Sequence, residues 1–489
     1  MLPMGARAYR RSLFAALIAA VLICSPLPVR ATGAPGAPAA APALEASYLA
    51  PLLSTPTQSR LPWTLSDPSH NARDRSSATA VGPKPATIVA TSADVPMSAS
   101  APLVYGPAVQ RAVYGLSANE TGAGQTIAVI GWGDPISDAD LAIWAAGTGV
   151  APLTSGTGSG QIQWHSVSGG SSATVQSTQA EVAMDVEYAH AIAPQANLRV
   201  YLVPDTCDQT ACKGDWSSLE AAVRQAVADG AKLVTGSWGD PESELGSDGI
   251  STFEPILQSA AAAGVSFFFA SGDTGSAGGV EYPASSPWTV AVGGAQLNAA
   301  DPSSAANLAG WSLSGGGCST QLARPAWQPA VLAGCANRAV PDLALDGDPH
   351  TGVPIYFSLG NAQGWLVAGG TSLAAPMAAA LYADVCAEAA CGWANPALAT
   401  ASTRSGAYSP VLAGSNGDYQ AGPGWNPITG WGVPNFAVWR SAMAGAAPAG
   451  TAVPTATPVP AAPTATAVRV LPTASPTRVP RPPRGPRPS

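Results

Sequence analysis

The chain of 489 residues carries few charges, and they are unevenly distributed: only 11% of its residues are charged, against about 25% in an average soluble domain. Residues 1–31 contain four arginines, residues 446–489 contain five, and neither segment has an acidic residue. The chain has 22 basic and 30 acidic residues, so the body between these segments has 13 basic and 30 acidic residues and a net charge of −17 at pH 7. Such a body argues against nucleic acid as a partner, and its sparse charges suit an acidic environment, where carboxylates become neutral.

Both ends of the chain differ from its middle. Residues 1–31 combine an arginine-containing start with an apolar run from Leu13 to Ile23, which predicts a secretory signal and is too short for a transmembrane segment. Residues 32–102, rich in Ala, Pro and Ser, predict a mostly disordered leader, either a propeptide or a surface spacer. Residues 446–489 predict a disordered Thr/Pro/Arg-rich tail, which either contacts an anionic cell surface or is a solvated linker. A folded domain is expected over residues 103–445.

Cysteine usage also indicates export. Apart from the one in the signal, the cysteines form three closely spaced couples: Cys207 and Cys212, Cys318 and Cys335, and Cys386 and Cys391. This spacing predicts three local disulfides made in an oxidising compartment. Zinc is not expected, because no Cys-x2-Cys pair or nearby histidine accompanies them.

The middle of the chain alternates apolar runs with helical patterns. Strands are predicted at 126–131, 198–203, 232–238, 265–270 and 289–292, and helices at 177–193, 217–228 and 253–263. This alternation predicts an α/β fold, a doubly wound, mostly parallel sheet with helices on both faces. Functional residues in such folds gather beyond the carboxyl ends of the strands.

A serine stands where a glycine-led turn meets a further predicted helix, residues 372–390. The sequence there is Gly369-Gly370-Thr371-Ser372-Leu373-Ala374-Ala375-Pro376. A helix N-terminus offers free N–H groups and a positive dipole end, which suit a nucleophile and the negative charge that it generates. The alternative is that Thr371 or Ser372 only caps the helix.

The base that would activate such a serine is not an evident histidine. The chain holds four histidines, none of them in a His-Gly-Thr context: His70, His165, His190 and His350. A Ser-His-Asp triad therefore lacks its central member. We expect a carboxylate to be the base.

Two sets of carboxylates are candidates. Glu181 and Asp185 are four residues apart in the helix predicted at 177–193, so they share a face and would share a proton; the alternative is a solvated helix face. His190 would lie about half a revolution away from Glu181. Asp273 follows the strand predicted at 265–270, where a catalytic group or an Asx turn would stand.

Three motifs in this order resemble the sedolisin family of serine-carboxyl peptidases, which have a subtilisin-like fold. They are Glu181-x-x-x-Asp185, Ser271-Gly272-Asp273-x-Gly275 and Gly370-Thr371-Ser372-x-x-x-Pro376, and the resemblance, which includes Ser237-Trp238-Gly239, covers roughly residues 104–439. It implies that Ser372 attacks the peptide carbonyl, Glu181 moves the proton, Asp185 orients Glu181, and a protonated Asp273 binds the oxyanion.

The resemblance therefore predicts a secreted endopeptidase that acts on proteins or peptides at acidic pH, with a monomer as the default state. One alternative is a secreted, non-catalytic binding module with the same shell. The other is a nucleophile-elbow hydrolase, which the sequence disfavours because Ser372 does not lie in Gly-x-Ser-x-Gly.

The sequence departs from the family at the calcium site and at the leader. The family uses two aspartates and backbone carbonyls, but here Pro410 and Asn426 take the aspartate positions. The remnant of the site comprises Val411, Gly422, Gly424 and Asn426. Calcium affinity depends on carboxylates, so tight calcium binding is not expected, and no other cofactor is predicted. Residues 32–102 do not look like the larger folded propeptide of the family, which leaves the mode of activation open.

Overall fold

The computed structural model describes most of residues 103–444 and two residues of the leader. The described residues are 84–85, 103–167, 176–204, 216–298, 301, 304–306, 308–329, 334–359, 362–388 and 391–444. They all belong to one compact unit of the chain, Ala41–Ser489. The predicted signal, the predicted tail, most of the predicted leader, and the couple Cys207 and Cys212 lie outside the described residues.

A mostly parallel sheet forms the centre of the structure. Its strands are β2 Thr126–Trp132, β3 Ile162–Ser166, β4 Asn197–Val203, β5 Leu233–Gly236, β7 Ser266–Ala270, β9 Thr289–Gln296, β10 Ala309–Gly310 and β13 Leu343–Asp346. In spatial order the path runs β10, β9, β7, β5, β2, β4, β3, and β13 also pairs with β9. All these pairings are parallel except that between β10 and β9.

Helices cover both faces of this sheet because alternate residues of its strands point to opposite sides. The helices are α1 Pro107–Val113, α2 Asp138–Thr148, α3 Gln176–Ile192, α4 Trp216–Ala228, α5 Glu242–Ala262, α6 Thr371–Glu388, α7 Ala394–Ser402 and α8 Phe436–Ala444. Ile127 and Val129 of β2 face one core with α1, α2, α3 and α6, whereas Ala128 and Ile130 face a second core with α4 and α5.

Shorter strands form small sheets at the edges of the domain. They are β1 Lys84–Pro85, β6 Trp238–Pro241, β8 Glu281–Tyr282, β11 Gly317–Ala323, β12 Asn337–Val340, β14 Val353–Leu359, β15 Ala362–Ala368, β16 Tyr408–Ser409 and β17 Val433–Pro434. One sheet has three strands in the order β1, β6, β8, in which Lys84 of the leader pairs with Gly239 and Pro85 with Trp238. The other pairs are β11 with β12, β14 with β15, and β16 with β17.

This architecture confirms the predicted α/β fold class, a mostly parallel sheet with helices on both faces, and corrects two element predictions. The strand expected at 232–238 is two strands, because β5 ends at Gly236 and β6 begins at Trp238. The helix expected at 253–263 begins eleven residues earlier, at Glu242, where Glu242 and Glu244 complement the helix dipole.

Two of the three predicted disulfides fall within the described residues, and both are present. Cys318 is bonded to Cys335, and Cys386 to Cys391. The first joins β11 to the segment before β12, and the second joins the last turn of α6 to the segment before α7. None of the helices in the described part of the chain is long and apolar enough to cross a membrane.

Candidate active site

Ser372 is the second residue of α6, a helix that is buried on all sides through most of its length. A helix surrounded by other elements needs small, apolar side chains all round, which explains the alanine-rich sequence after Ser372. The Ser372 hydroxyl is fully buried and makes no hydrogen bond of normal geometry to any described residue. The first N–H groups of a helix have no intrahelical acceptor, so α6 directs donors toward this serine.

Glu181 and Asp185 lie on α3, which packs against α6, and both are buried, with exposed fractions of 3% and 1%. The alternative of a solvated helix face is therefore wrong. Burial, followed by the charge of Asp185, raises the pKa of Glu181 well above its usual value. Burial also raises the pKa of Asp185, which a hydrogen bond from Ser237 partly offsets. Two neighbouring buried carboxyls of this kind favour a shared proton.

The Glu181 carboxyl lies close to Ser372 without a completed hydrogen bond. Neither of its oxygens accepts a bond of normal geometry from a described residue. The hydroxyls of Ser372 and Ser237 are nevertheless near enough to lower its pKa and oppose the effect of burial. An approach of this kind is what a general base and its nucleophile show before substrate binds.

Asp273 stands three residues beyond the end of β7, and its carboxyl group is bound to the start of α6. Its Oδ1 accepts hydrogen bonds from the Thr371 N–H, at 2.8 Å, and the Thr371 hydroxyl, at 2.7 Å. Thr371 Oγ1 in turn accepts the Gly272 N–H at 3.1 Å. The Thr371 side chain thus holds Asp273 beside Ser372, which gives it a function other than simple capping of the helix.

Gly370 allows the close approach of Asp273 to the serine. Its φ of +118° is a conformation that residues with a side chain rarely adopt. A Cβ atom at this position would stand 2.7 Å from Asp273 Oδ2 and 3.6 Å from Ser372 Cβ. The glycine therefore leaves a space between the aspartate and the serine that any other residue would fill.

The three described histidines have other contacts. The ring of His165 stacks on Tyr201 with centroids 4.8 Å apart, and His350 Nδ1 lies 2.8 Å from Asp348 Oδ1. His190 is buried, and its Nε2 lies 2.8 Å from the Ala151 carbonyl oxygen. Burial lowers the pKa of His190. None of these contacts involves the carboxylates or the serine described above.

Ser237 is a site residue whose contacts the sequence did not predict. It lies between β5 and β6 and is buried. Its Oγ is 2.7 Å from Asp185 Oδ1 and 3.1 Å from the Ser372 carbonyl oxygen. Its position at the carboxyl end of a central strand was the available signal.

The remnant of the calcium site does not fit the ion. Asn426 Oδ1 already accepts the Ile428 and Thr429 N–H groups and the Thr429 hydroxyl, and its Nδ2 donates to Thr429 Oγ1. The other residues expected there, Pro410, Val411, Gly422 and Gly424, bring no carboxylate. The described residues hold no cluster of His, Cys, Asp or Glu suited to a metal. Calcium is a hard cation that prefers carboxylate oxygens, so this donor set is a poor one.

Known proteins are similar to this chain in sequence and in fold. Residues 141–432, more than half of the chain, match the family described as the subtilase family. Kumamolisin from Bacillus sp. (strain MN-32) is 31% identical in an alignment of 368 residues that covers 68% of this chain and 63% of that protein. Sedolisin from Pseudomonas sp. (strain 101) is 29% identical in an alignment of 254 residues that covers 44% of this chain and 41% of that protein. The chain thus spans less than two thirds of the length of either relative.

A solved structure of Pseudomonas sedolisin, described as a serine-carboxyl proteinase complexed with two molecules of pseudo-iodotyrostatin, is similar over nearly its whole length. The match covers 98% of that chain and 70% of this one, with a TM-score of 0.60 and 28% sequence identity. The chain therefore belongs to the subtilase family and, within that fold, to the sedolisin family of serine-carboxyl peptidases.

Proposed function

We propose that the protein is a serine-carboxyl endopeptidase that hydrolyses protein or peptide substrates at acidic pH. The observation that carries the proposal is the convergence of three buried carboxyl groups on the N-terminal end of α6. Glu181 and Asp185 approach Ser372 from α3, and Asp273 approaches it from the end of β7. No described histidine contacts them, so the carboxyls are the groups available for proton transfer.

In the proposed first step, Ser372 Oγ forms a bond to the substrate carbonyl carbon while its proton passes to the Glu181 carboxylate. When the tetrahedral intermediate collapses, the carbon–nitrogen bond breaks and Glu181 returns the proton to the leaving amine. Water then attacks the acyl group on Ser372, with Glu181 accepting its proton and passing one back to Ser372 Oγ. Asp185, adjacent on α3, sets the basicity and orientation of Glu181.

The negative oxygen of the intermediate would be bound by Asp273 and the Ser372 N–H. Asp273 Oδ1 already accepts two hydrogen bonds from Thr371, so a proton on this carboxyl group belongs on Oδ2. Oδ2 faces the space that Gly370 leaves open. A carboxyl group donates a hydrogen bond only while it is protonated, which restricts this oxyanion site to acid.

Secretion is part of the proposal. The two disulfides within the described residues support an oxidising compartment, as does the predicted signal over residues 1–31. We further propose that catalysis needs no calcium, since the remnant site has no carboxylate and Asn426 is committed to internal hydrogen bonds. Contact of the tail with a cell surface and a monomeric state stay predictions.

A pH–rate profile from about pH 2 to 8 on a denatured protein substrate tests the proposal, with the Ser372→Ala variant beside the wild type. We expect turnover in acid that the variant lacks. Removing the serine should leave the fold intact, because its hydroxyl makes no hydrogen bond of normal geometry to a described residue. A folded, leader-free protein without activity at any pH would refute the proposal in favour of a non-catalytic binding module. Activity retained in the variant would place the nucleophile elsewhere.

A further inference from the structure

Ser237 connects the two halves of the candidate site. Its hydroxyl oxygen lies 2.7 Å from Asp185 Oδ1, on α3, and 3.1 Å from the Ser372 carbonyl oxygen, on α6. The residue is buried and lies where the chain leaves β5 and enters β6, so its backbone is fixed by two strands. A single side chain therefore bridges the carboxylate pair and the backbone of the proposed nucleophile.

The Ser372 carbonyl needs a donor because of Pro376. In an α-helix the carbonyl of residue 372 would accept the N–H of residue 376, and proline has none. A buried carbonyl without a donor is costly, and the Ser237 hydroxyl supplies the missing hydrogen bond. Pro376 thus leaves the carbonyl of the proposed nucleophile without a helical donor, and Ser237 supplies one.

A hydroxyl group has one proton, so Ser237 cannot donate to both partners at once. Both short contacts are satisfied together when Asp185 is protonated: Asp185 then donates to Ser237 Oγ, and Ser237 donates to the Ser372 carbonyl. Burial raises the pKa of Asp185 and so favours this arrangement in acid. When Asp185 ionises, the Ser237 proton must turn toward it, and the Ser372 carbonyl loses its donor.

We propose that Ser237 is a positioning residue for the proposed reaction, whose hydroxyl holds the backbone of Ser372 in register with the carboxyl pair Glu181 and Asp185. The inference rests on the proposed function. It adds a residue that acts through Asp185 and Ser372 rather than on the substrate. It also makes the hydrogen bonding of the Ser372 carbonyl, at the start of α6, depend on whether Asp185 of α3 is protonated.

The test compares Ser237→Ala with the wild type and with Ser285→Ala. Ser285 is a matched control, because it is a buried serine whose hydroxyl has no partner among the described residues. We expect Ser237→Ala to lower kcat about 10- to 100-fold with little change in KM, since the lost contact orients catalytic groups. Ser285→Ala should behave as wild type, and Ser237→Cys, which keeps a weak donor, should be intermediate.

The pH profile separates positioning from a loss of folded protein. When Asp185 ionises, Ser237 donates a charge-assisted hydrogen bond to it, and this bond is stronger than the neutral one made in acid. Ser237 therefore lowers the pKa of Asp185 and of its neighbour Glu181, and its removal should raise both. The acid limb of the kcat/KM profile should then shift to higher pH by about half a pH unit or more. An unmoved limb with unchanged kcat, or an equal loss in Ser285→Ala, would overturn the proposal.

A readout without catalysis keeps this proposal distinct from the proposed function. In the Ser372→Ala background, the melting temperature is measured with and without the second substitution Ser237→Ala. The difference between the two proteins should widen as the pH rises, because the carboxyl pair without its donor resists ionisation more strongly. A constant difference would contradict the role given to Ser237. This result is obtained whether or not the wild type cleaves peptides, and Ser237→Cys takes the place of Ser237→Ala if the alanine variant is too unstable.

Discussion

Asp384 should make the fold less stable at neutral pH than in acid. It lies on α6 and is buried, and neither of its carboxyl oxygens accepts a hydrogen bond of normal geometry from a described residue. The nearby Arg111 donates its hydrogen bonds to main-chain carbonyls, among them Glu120 O at 2.7 Å and Ile192 O at the end of α3. Arg440 is paired with the carboxylates of Glu120 and Glu388. An ionised Asp384 would therefore add one unmatched negative charge to this group.

The size of the effect follows from the pKa. Burial raises the pKa of Asp384 from 3.8 to about 7, although the charge of Arg111 and the nearby Gly122 N–H oppose the shift. Below about pH 4 the carboxyl is protonated in both the folded and the unfolded chain. Between about pH 4 and 7 the unfolded chain ionises first, so unfolding releases a proton and stability falls as the pH rises. A shift of about three units corresponds to roughly 4 kcal/mol, a large part of the free energy of unfolding of a typical domain.

The assay is denaturant unfolding of Ser372→Ala protein, which cannot digest itself, with and without Asp384→Asn. We expect equal free energies of unfolding near pH 4, where an amide resembles a protonated carboxyl, and a more stable Asn variant near pH 8. Asp418→Asn is the control, because this exposed carboxylate lies outside the group and should change the profile little. An equal difference between the proteins at every pH would refute the reasoning.

Three further predictions concern the site and the calcium remnant. Gly370→Ala should lower kcat/KM about 10²- to 10³-fold and destabilise the fold by about 1–3 kcal/mol, because the new Cβ would collide with Asp273 Oδ2. Gly392→Ala is the control, because its Cβ would meet no atom within 4 Å. A wild-type kcat/KM in Gly370→Ala would contradict the expectation. Asp273→Asn keeps a donor that needs no proton, so the alkaline limb of the pH–rate profile should move upward, and an unmoved limb would argue against an oxyanion role. EDTA should leave the melting temperature unchanged, because Asn426 already uses its amide oxygen internally; a large drop would show that calcium binds.

Periodicity predicted the central strands and helices well because burial on both sheet faces imposes apolar runs. The strand predicted at 126–131 is Thr126–Trp132, and the helix predicted at 177–193 is Gln176–Ile192. The break at Ser237 was not predicted, because Leu233, Val234 and Trp238 suit a continuous strand. Gly236, a residue type that often interrupts strands, was the available signal. The early start of α5 was hidden by glycines and serines, whose low helix propensity is overridden by the burial of Ile250 and Phe253.

The sequence predicted which residues form the site but not the hydrogen bonds that hold them together. Glu181 and Asp185 followed from helical spacing, and Asp273 from its place after a strand, and the structure brings all three to Ser372. Their catalytic roles stay predictions. The bonds that hold them depend on tertiary contacts between residues about 50 to 135 positions apart, such as that of Ser237 with the Ser372 carbonyl. No local pattern in the sequence records a contact of this range.

The strand β1 has a consequence for any peptide that approaches β6. The edge of a strand can pair with one neighbour at a time, and Lys84 and Pro85 of β1 occupy the positions opposite Gly239 and Trp238 of β6. A tethered segment competes at the high local concentration that its own chain imposes. A free peptide could add to the same edge, one residue from Ser237, only in molecules in which β1 has dissociated from β6. Its apparent affinity would be its intrinsic affinity multiplied by the fraction of such molecules. Cutting the chain after Pro85 would abolish that advantage and make the edge available to other peptides.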